Sequence, residues 1–252
     1  MSLPKNDFIT YTLQLPVSKK EIRFRPFLVK EQRNLMVAME SDDDETIERN
    51  IKQVLTNCTL TDIDIDKLPM ADVEFYFINL RARSVNEIVE NLYQCKNQNL
   101  PEEKLKATDS EGNKICGGIM KVEFNLLEVK VDINENIKDI IKLTDTLSMK
   151  LRSPDFAVVQ RASKYTNDTD KAFDMIVDCI EYIAEGEEIH YAKEHTPKEL
   201  MEFIETLNQN QFEKVEEFFM NLPKVSKKLT MQCGKCGLDH AIEVEGLENF
   251  FG

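Results

Sequence analysis

The sequence predicts an α+β fold, with antiparallel β elements in the N-terminal and central parts, a helical C-terminal half, and a terminal β-hairpin bearing a zinc-ribbon knuckle. Three observations carry this expectation. Apolar residues alternate at period two over residues 13–24 and 120–126, the mark of strands with one face against a core. Between residues 196 and 222 they recur at helical spacing behind a capping sequence. Strands come first, helices later and a hairpin last, an order that argues against a βαβ series.

From the N-terminus, Leu13 and Leu15 share one parity, and Ile22 and Phe24 repeat it beyond Pro16, Val17, Ser18 and Lys19. Period two on both sides of a turn predicts a β-hairpin, which Pro26 ends by removing a ladder donor. Leu35, Met36 and Met39 predict a helix over 30–39. The acidic run Ser41-Asp42-Asp43-Asp44-Glu45 is read as the cap of a second helix bearing Ile47, Ile51, Val54 and Leu55. A calcium loop would need spaced aspartates and a glycine. The same holds for Asp62, Asp64 and Asp66, which alternate with Ile63 and Ile65 like a polar strand face.

Val73, Phe77 and Leu80 align on a buried helix over 70–80, whereas Val85, Ile88, Val89 and Leu92 fit a helix or a strand equally well. Residues 96–114 form a polar loop with Pro101 and Gly112, too poor in apolar residues to fold alone. At Leu126-Leu127 the parity flips, and Val129 and Val131 alternate on the new one, which predicts a β-bulge or a bend. More β-like sequence stands at 140–141 and 149–151.

Ser153 is the expected N-cap of the next helix, with Pro154 at its first position. A later helix is read through Phe173, Ile176, Val177, Ile180 and Ile183. Thr196-Pro197-Lys198-Glu199 is a capping box before Leu200, Phe203, Ile204 and Leu207, and Phe212, Val215, Phe219 and Leu222 repeat the stripe until Pro223. Leu229 and Met231, then Ile242 and Val244, make the closing hairpin. Three regions follow, packed as one continuous globular unit: mixed β/α over 1–152, helical over 153–225, and a hairpin over 226–252 lying on the β region of 84–131.

The chain of 252 residues can bury a real core, and its net charge of −14 repels phosphate backbones. The basic cluster Lys224, Lys227 and Lys228 is short and has no interleaved aromatics, so nucleic acid is not an expected partner. No apolar run reaches the length of a membrane span, and the start lacks the apolar core of a signal peptide. The expected setting is a reducing cytosol, where the 6 cysteines are thiols or metal ligands.

The sharpest motif is Cys233-Gly234-Lys235-Cys236-Gly237 between short strands. Two thiolates so spaced form a knuckle that clasps one side of a tetrahedral zinc. Cys95 and Cys116 are the candidate second pair. Both border the polar loop, and Gly117-Gly118 follow Cys116, but their 20 intervening residues far exceed the usual knuckle spacing. Cys95, Cys116, Cys233 and Cys236 together would hold one structural Zn2+, with no open position for water. His240 is an alternative ligand for one distant cysteine. The competing reading is a bare turn with ordinary cysteines elsewhere. A redox pair fits less well, since that motif belongs at a helix N-terminus.

Cys58 and Cys179 read as small core residues. His190 stands near Glu187 and Glu188 without HExxH spacing, His195 is the remaining histidine, and no GxSxG, P-loop or GxGxxG occurs. The expectation is a protein without enzymatic activity.

Four stretches carry a resemblance: Leu15-Pro16-Val17-Ser18-Lys19-Lys20 running into Arg25-Pro26-Phe27-Leu28-Val29-Lys30-Glu31; Lys150-Leu151-Arg152-Ser153-Pro154; the cysteine knuckle; and Gly246-Leu247-Glu248-Asn249-Phe250-Phe251-Gly252. On these the chain resembles the baseplate hub assembly proteins of T-even-type contractile-tailed phages. The resemblance implies an assembly factor or chaperone, or a hub component, that contacts phage baseplate hub proteins and catalyses nothing. It would act in the host cytoplasm during assembly, and a hub component would stay in the tail baseplate. The alternative is a zinc-ribbon interaction adaptor unrelated to virion assembly. Leu247, Phe250 and Phe251 either dock back onto the core or form a partner-binding peg.

Overall fold

A computed structural model describes residues 8–40, 44–165 and 167–246. Among them are seven α-helices and thirteen short strands arranged in small antiparallel sheets, so the α+β class stands. Three apolar cores and a cysteine cluster organise the chain.

The first core lies under the N-terminal hairpin. Strands β1 (Tyr11–Gln14) and β2 (Glu21–Phe24) pair as predicted, with Leu13 opposite Ile22. Leu15, Ile22 and Phe24 then meet α2 (Asp44–Cys58) and α3 (Met70–Ser84), while α1 (Val29–Met39) packs on α2. Residues 41–43 of the expected acidic cap lie outside the described residues. Phe24 meets Tyr76 edge-to-face with ring centroids 5.3 Å apart, and the Tyr76 hydroxyl lies 2.9 Å from Thr59 Oγ1, so a buried ring keeps its polar end satisfied. Asp64 and Asp66 do not lie on a strand. The Asp64 carboxylate accepts the Asp66 N–H at the start of a 3-10 turn, Ile65–Lys67, and Lys52 pairs with Asp66.

Helix α3 is buried nearly all round because it serves two cores. Val73, Tyr76, Phe77 and Leu80 face the first, and Ile78 and Ala82 face a second one built on strands. The segment after it, open between helix and strand by pattern, is β3 (Ile88–Gln94). The loop that follows holds a small ladder of β4 (Ala107–Thr108) and β5 (Lys114–Ile115) before β6 (Ile119–Asn125) returns to pair with β3.

The parity flip after β6 is a bend. Asn125 accepts the Leu127 N–H at 2.8 Å and starts a 3-10 turn, Leu126–Glu128, and the chain re-emerges as β7 (Lys130–Asp132) in another sheet.

The third core lies under a four-stranded sheet of order β11-β10-β9-β8, formed by β8 (Ile140–Lys142), β9 (Leu147–Leu151), β10 (Ile180–Glu185) and β11 (Glu188–Tyr191). Two expectations are corrected here. The C-terminal half is not purely helical, since α4 (Phe156–Ala162) and α5 (Asp168–Cys179) are followed by a β-hairpin before α6 (Pro197–Glu205) and α7 (Gln209–Met220). The stripe read through Ile180 and Ile183 leaves the helix at Cys179. A register shift between Ile180 and Tyr182 in the β9–β10 ladder turns both isoleucines toward one core, so a bulge imitates helical i, i+3 spacing.

The N-cap of α4 is also displaced, from Ser153 to Asp155, whose carboxylate accepts the Val158 N–H at 2.9 Å. Pro154 stays outside the helix because its carbonyl accepts the Met70 N–H, joining this turn to α3. Phe156, at 1% exposure, reaches the first core, and β9 pairs with β10 across the expected boundary at 152/153. The Thr196 capping box of α6 forms as predicted, and Asn208 with Gln211 makes a second one at α7. The chain closes with β12 (Lys224–Gln232), paired on one side with β13 (Asp239–Glu245) and on the other with β7.

Candidate metal centre

Strand pairing brings the two cysteine pairs together. Beyond the last β3–β6 pair, Gln94 with Ile119, the ladder continues irregularly: the Cys95 N–H donates to Gly118 O at 2.8 Å, Gly117 N–H to Cys95 O at 3.0 Å, and Cys116 N–H to Asn97 O at 2.9 Å. The intervening polar loop is excluded sideways, so the long sequence gap between Cys95 and Cys116 costs the site nothing geometrically. In the C-terminal hairpin, the Cys233 N–H donates to Leu238 O at 2.9 Å and Gly237 N–H to Cys233 O at 2.8 Å. This tight knuckle needs φ of 76° at Gly237, a left-handed value that glycine adopts without strain.

The four Sγ atoms lie within 4.8 Å of one another. Cys95 and Cys236 are 3.7 Å apart, and Cys116 and Cys233 are 3.9 Å apart. Tetrahedral zinc with Zn–S bonds of about 2.3 Å requires S···S separations of about 3.8 Å, so the thiols fit such an ion. Cys95, Cys116 and Cys233 have no exposure, while Cys236 is half-buried at the rim. Lys235 Nζ donates to Cys116 O at 2.6 Å and ties the knuckle to the opposite strand end.

Gly118 makes this approach possible. A Cβ there would stand 2.6 Å from Cys233 Sγ, closer than such atoms approach, and 3.1 Å from Lys235 Cβ, a tight contact. The glycine pair after Cys116 signalled backbone freedom in the sequence. Its purpose, making room for a sulfur 115 positions away, depends on the tertiary fold.

The thiols differ in acidity. Burial pushes Cys95 up to about 12 and raises Cys116. At Cys236 the Leu238 backbone N–H and then the Asn97 side chain hold the thiol down to about 6. A metal held by these four sulfurs would be bound by thiolates, so its uptake would release protons.

His240 was the alternative ligand. Its Nε2 lies 3.2 Å from Cys95 Sγ, beside four thiols that are enough by number to fill a tetrahedral set. Asn97, which sequence reasoning missed, places Nδ2 3.6 Å from Cys236 Sγ. Its position two residues after Cys95 was the available signal.

The remaining candidates lie elsewhere. Cys58 and Cys179 are fully buried in separate places, where burial pushes their thiols up to about 11 and about 12. His190 and His195, with ring centroids 6.0 Å apart, rim a cleft floored by Ile183, Leu200 and Phe203, and no third ligand joins them among the described residues. Lys224 pairs with Glu245, and Lys227 with Glu128. No helix of the described residues is long and apolar enough to cross a membrane. Leu247, Phe250 and Phe251 lie outside the described residues.

No solved structure matches the chain. The baseplate hub assembly protein gp26 of Enterobacteria phage T4 is 26% identical over 243 residues, covering 96% of this chain and 97% of that protein. Residues 8–252 match the family described as T4 bacteriophage base plate protein. The chain therefore belongs to the T4 bacteriophage base plate protein family.

Proposed function

We propose that this protein is a baseplate hub assembly factor or hub component that works through protein–protein contacts and catalyses no reaction, and that Cys95, Cys116, Cys233 and Cys236 hold one structural Zn2+. The observation that carries the first part is the end-to-end likeness to a hub assembly protein, covering 96% of this chain and 97% of that relative. The spacing of the four thiols supports the second, because a zinc bound by four thiolates has no open position at which to activate water. Zinc would contribute folding energy by tying the end of β3 and the start of β6 to the β12–β13 hairpin, segments whose association is otherwise spread over short strands.

The partners are the hub proteins of the same phage, met in the host cytoplasm during assembly. Leu247, Phe250 and Phe251 are proposed as apolar anchors for that contact.

Co-expression of the tagged full chain with each hub protein of its phage, followed by native mass spectrometry, tests the reading. A discrete complex that carries one zinc is expected, and its loss on deleting residues 247–252 without a change in melting temperature would place the contact at the tail. Failure to form a complex with any hub protein would overturn the assembly role. Detection of the chain in purified virions would make it a hub component, and its absence from virions that require it would make it an assembly factor.

A further inference from the structure

We propose that His240 and Asn97 are positioning residues of the metal centre, donating N–H···S hydrogen bonds that hold the Cys95 and Cys236 thiolates on the ion. This inference rests on the zinc reading above.

A divalent ion bound by four thiolates is a doubly negative unit. Here it would sit with three of its four sulfurs fully buried, in a protein of net charge −14. Buried negative charge is costly unless hydrogen-bond donors meet it. Backbone N–H groups supply part of this. The backbone N–H groups of Asn97, Gly118 and Leu238 favour the thiolate forms of Cys95, Cys116 and Cys236 respectively.

Two side chains supply more. His240, facing Met231 across the β12–β13 ladder, brings Nε2 to 3.2 Å from Cys95 Sγ. A metal-bound thiolate can only accept, so this nitrogen carries the proton in the loaded site. Asn97 Oδ1 accepts the Asn99 N–H at 2.9 Å, which fixes the amide orientation and leaves Nδ2 as the donor facing Cys236 Sγ at 3.6 Å. The two donors bond one sulfur from each half of the site, the strand-borne Cys95 and the knuckle-borne Cys236. Each also comes from the opposite half in one case: His240 lies on the hairpin and reaches across to Cys95, while Asn97 follows Cys95 and reaches across to Cys236. They therefore bind the two halves together as well as moderating charge. Outer contacts of this kind commonly change metal affinity by about 10–100-fold.

The test uses the full chain loaded with Co2+, whose d–d and thiolate-to-metal bands report the ligand set, together with the rate of Zn2+ loss to a chelator. The wild-type protein is expected to show a four-thiolate spectrum. His240→Ala and Asn97→Asp are expected to keep the band positions while releasing zinc at least about tenfold faster, and His240→Gln, which keeps an N–H donor, is expected to recover part of the loss. Circular dichroism on the loaded variants confirms that each is folded, and Asn97→Asp, nearly isosteric, serves if His240→Ala does not fold. Wild-type release rates in the folded variants would overturn the proposal. So would a wild-type spectrum of three thiolates and one nitrogen that changes in His240→Ala, because His240 would then be a ligand. A wild-type chain that takes up neither ion would sink the zinc reading itself, before any variant is made.

Discussion

Cys116 Sγ and Cys233 Sγ lie 3.9 Å apart in space and 117 positions apart in sequence. That single approach joins the turn before β6 to the knuckle after β12. If a metal holds it, removing the metal removes folding energy from both segments. Chelation, or the double substitution of Cys233 and Cys236 to Ser, is expected to lower the melting temperature by roughly 10 °C, equivalent to about 3–4 kcal/mol for a chain of this size. Differential scanning calorimetry checks it. Cys179→Ser, made as a control, is expected to melt lower by a similar mechanism to any core truncation but to be indifferent to chelator.

Gly118→Ala is expected to abolish stoichiometric zinc binding. The added Cβ would meet Cys233 Sγ at 2.6 Å, and the sulfur cannot yield without leaving the tetrahedron. Metal content by elemental analysis reads the result. A variant that retains one zinc per chain would show that the knuckle tolerates displacement and would count against the packing described.

Asp72 holds the first hairpin. Fully buried on α3, it accepts the Val17 N–H and the Ser18 N–H, each at 2.8 Å. Asp72→Ala leaves both half-buried donors without their acceptor and is expected to cost about 2–4 kcal/mol. Asp72→Asn keeps one of the two acceptors and should cost less. Urea denaturation of both variants decides the order.

Glu31 gives the protein part of its acid sensitivity. Burial pushes its carboxyl up, but the Leu28 N–H bond at 2.8 Å, then the Arg25 hydrogen bond at 3.0 Å and the Arg25 charge, outweigh it and leave the group below its ordinary 4.5. A carboxylate whose folded value is depressed stabilises above the unfolded value and loses that contribution as pH falls through the folded one. Glu31→Gln is therefore expected to flatten stability against pH below about 4.5 and to cost about 3 kcal/mol at neutral pH. Melting curves from pH 3 to 7 test both parts.

Glu74 behaves in the opposite sense. Burial on α3 pushes its carboxyl up to about 7. The folded state then holds a proton that the unfolded chain has released, so stability falls as pH rises from the unfolded value near 4.5 through 7. Glu74→Gln is expected to stabilise the protein at pH 8, by on the order of 2 kcal/mol, and to do little at pH 4. Equal effects at both values would show that Glu74 is solvated.

Much of the fold was legible because local physics decided it. The hairpin around Ile22, the Thr196 capping box and the amphipathic stripe from Leu200 to Leu207 depend on period and capping within a few residues, and they form where predicted. Misreadings occurred where distant contacts prevailed. Ile180 and Ile183 satisfied a helical period, yet pairing of β10 with β9 through a bulge buries both. Ser153 and Pro154 looked like a helix start, yet the Pro154 carbonyl is engaged by Met70 and the cap falls to Asp155. Asp64 and Asp66 alternated like a strand face, but with no partner strand the segment closed on itself as a 3-10 turn.

By itself the sequence determined the class of fold, the CxxC knuckle and the four cysteines worth watching, since thiol chemistry and hairpin periodicity are written in adjacent residues. Only the tertiary structure decided that Cys95 and Cys116 meet the knuckle, that Gly118 makes room for Cys233, and that Asn97 and His240 face the sulfurs. Those relationships depend on strand pairings and side-chain contacts that close loops of 20 to more than 100 residues. A one-residue slip in either ladder would turn the side chains away, and the register that prevents it is set by burial of whole strand faces rather than by any short motif.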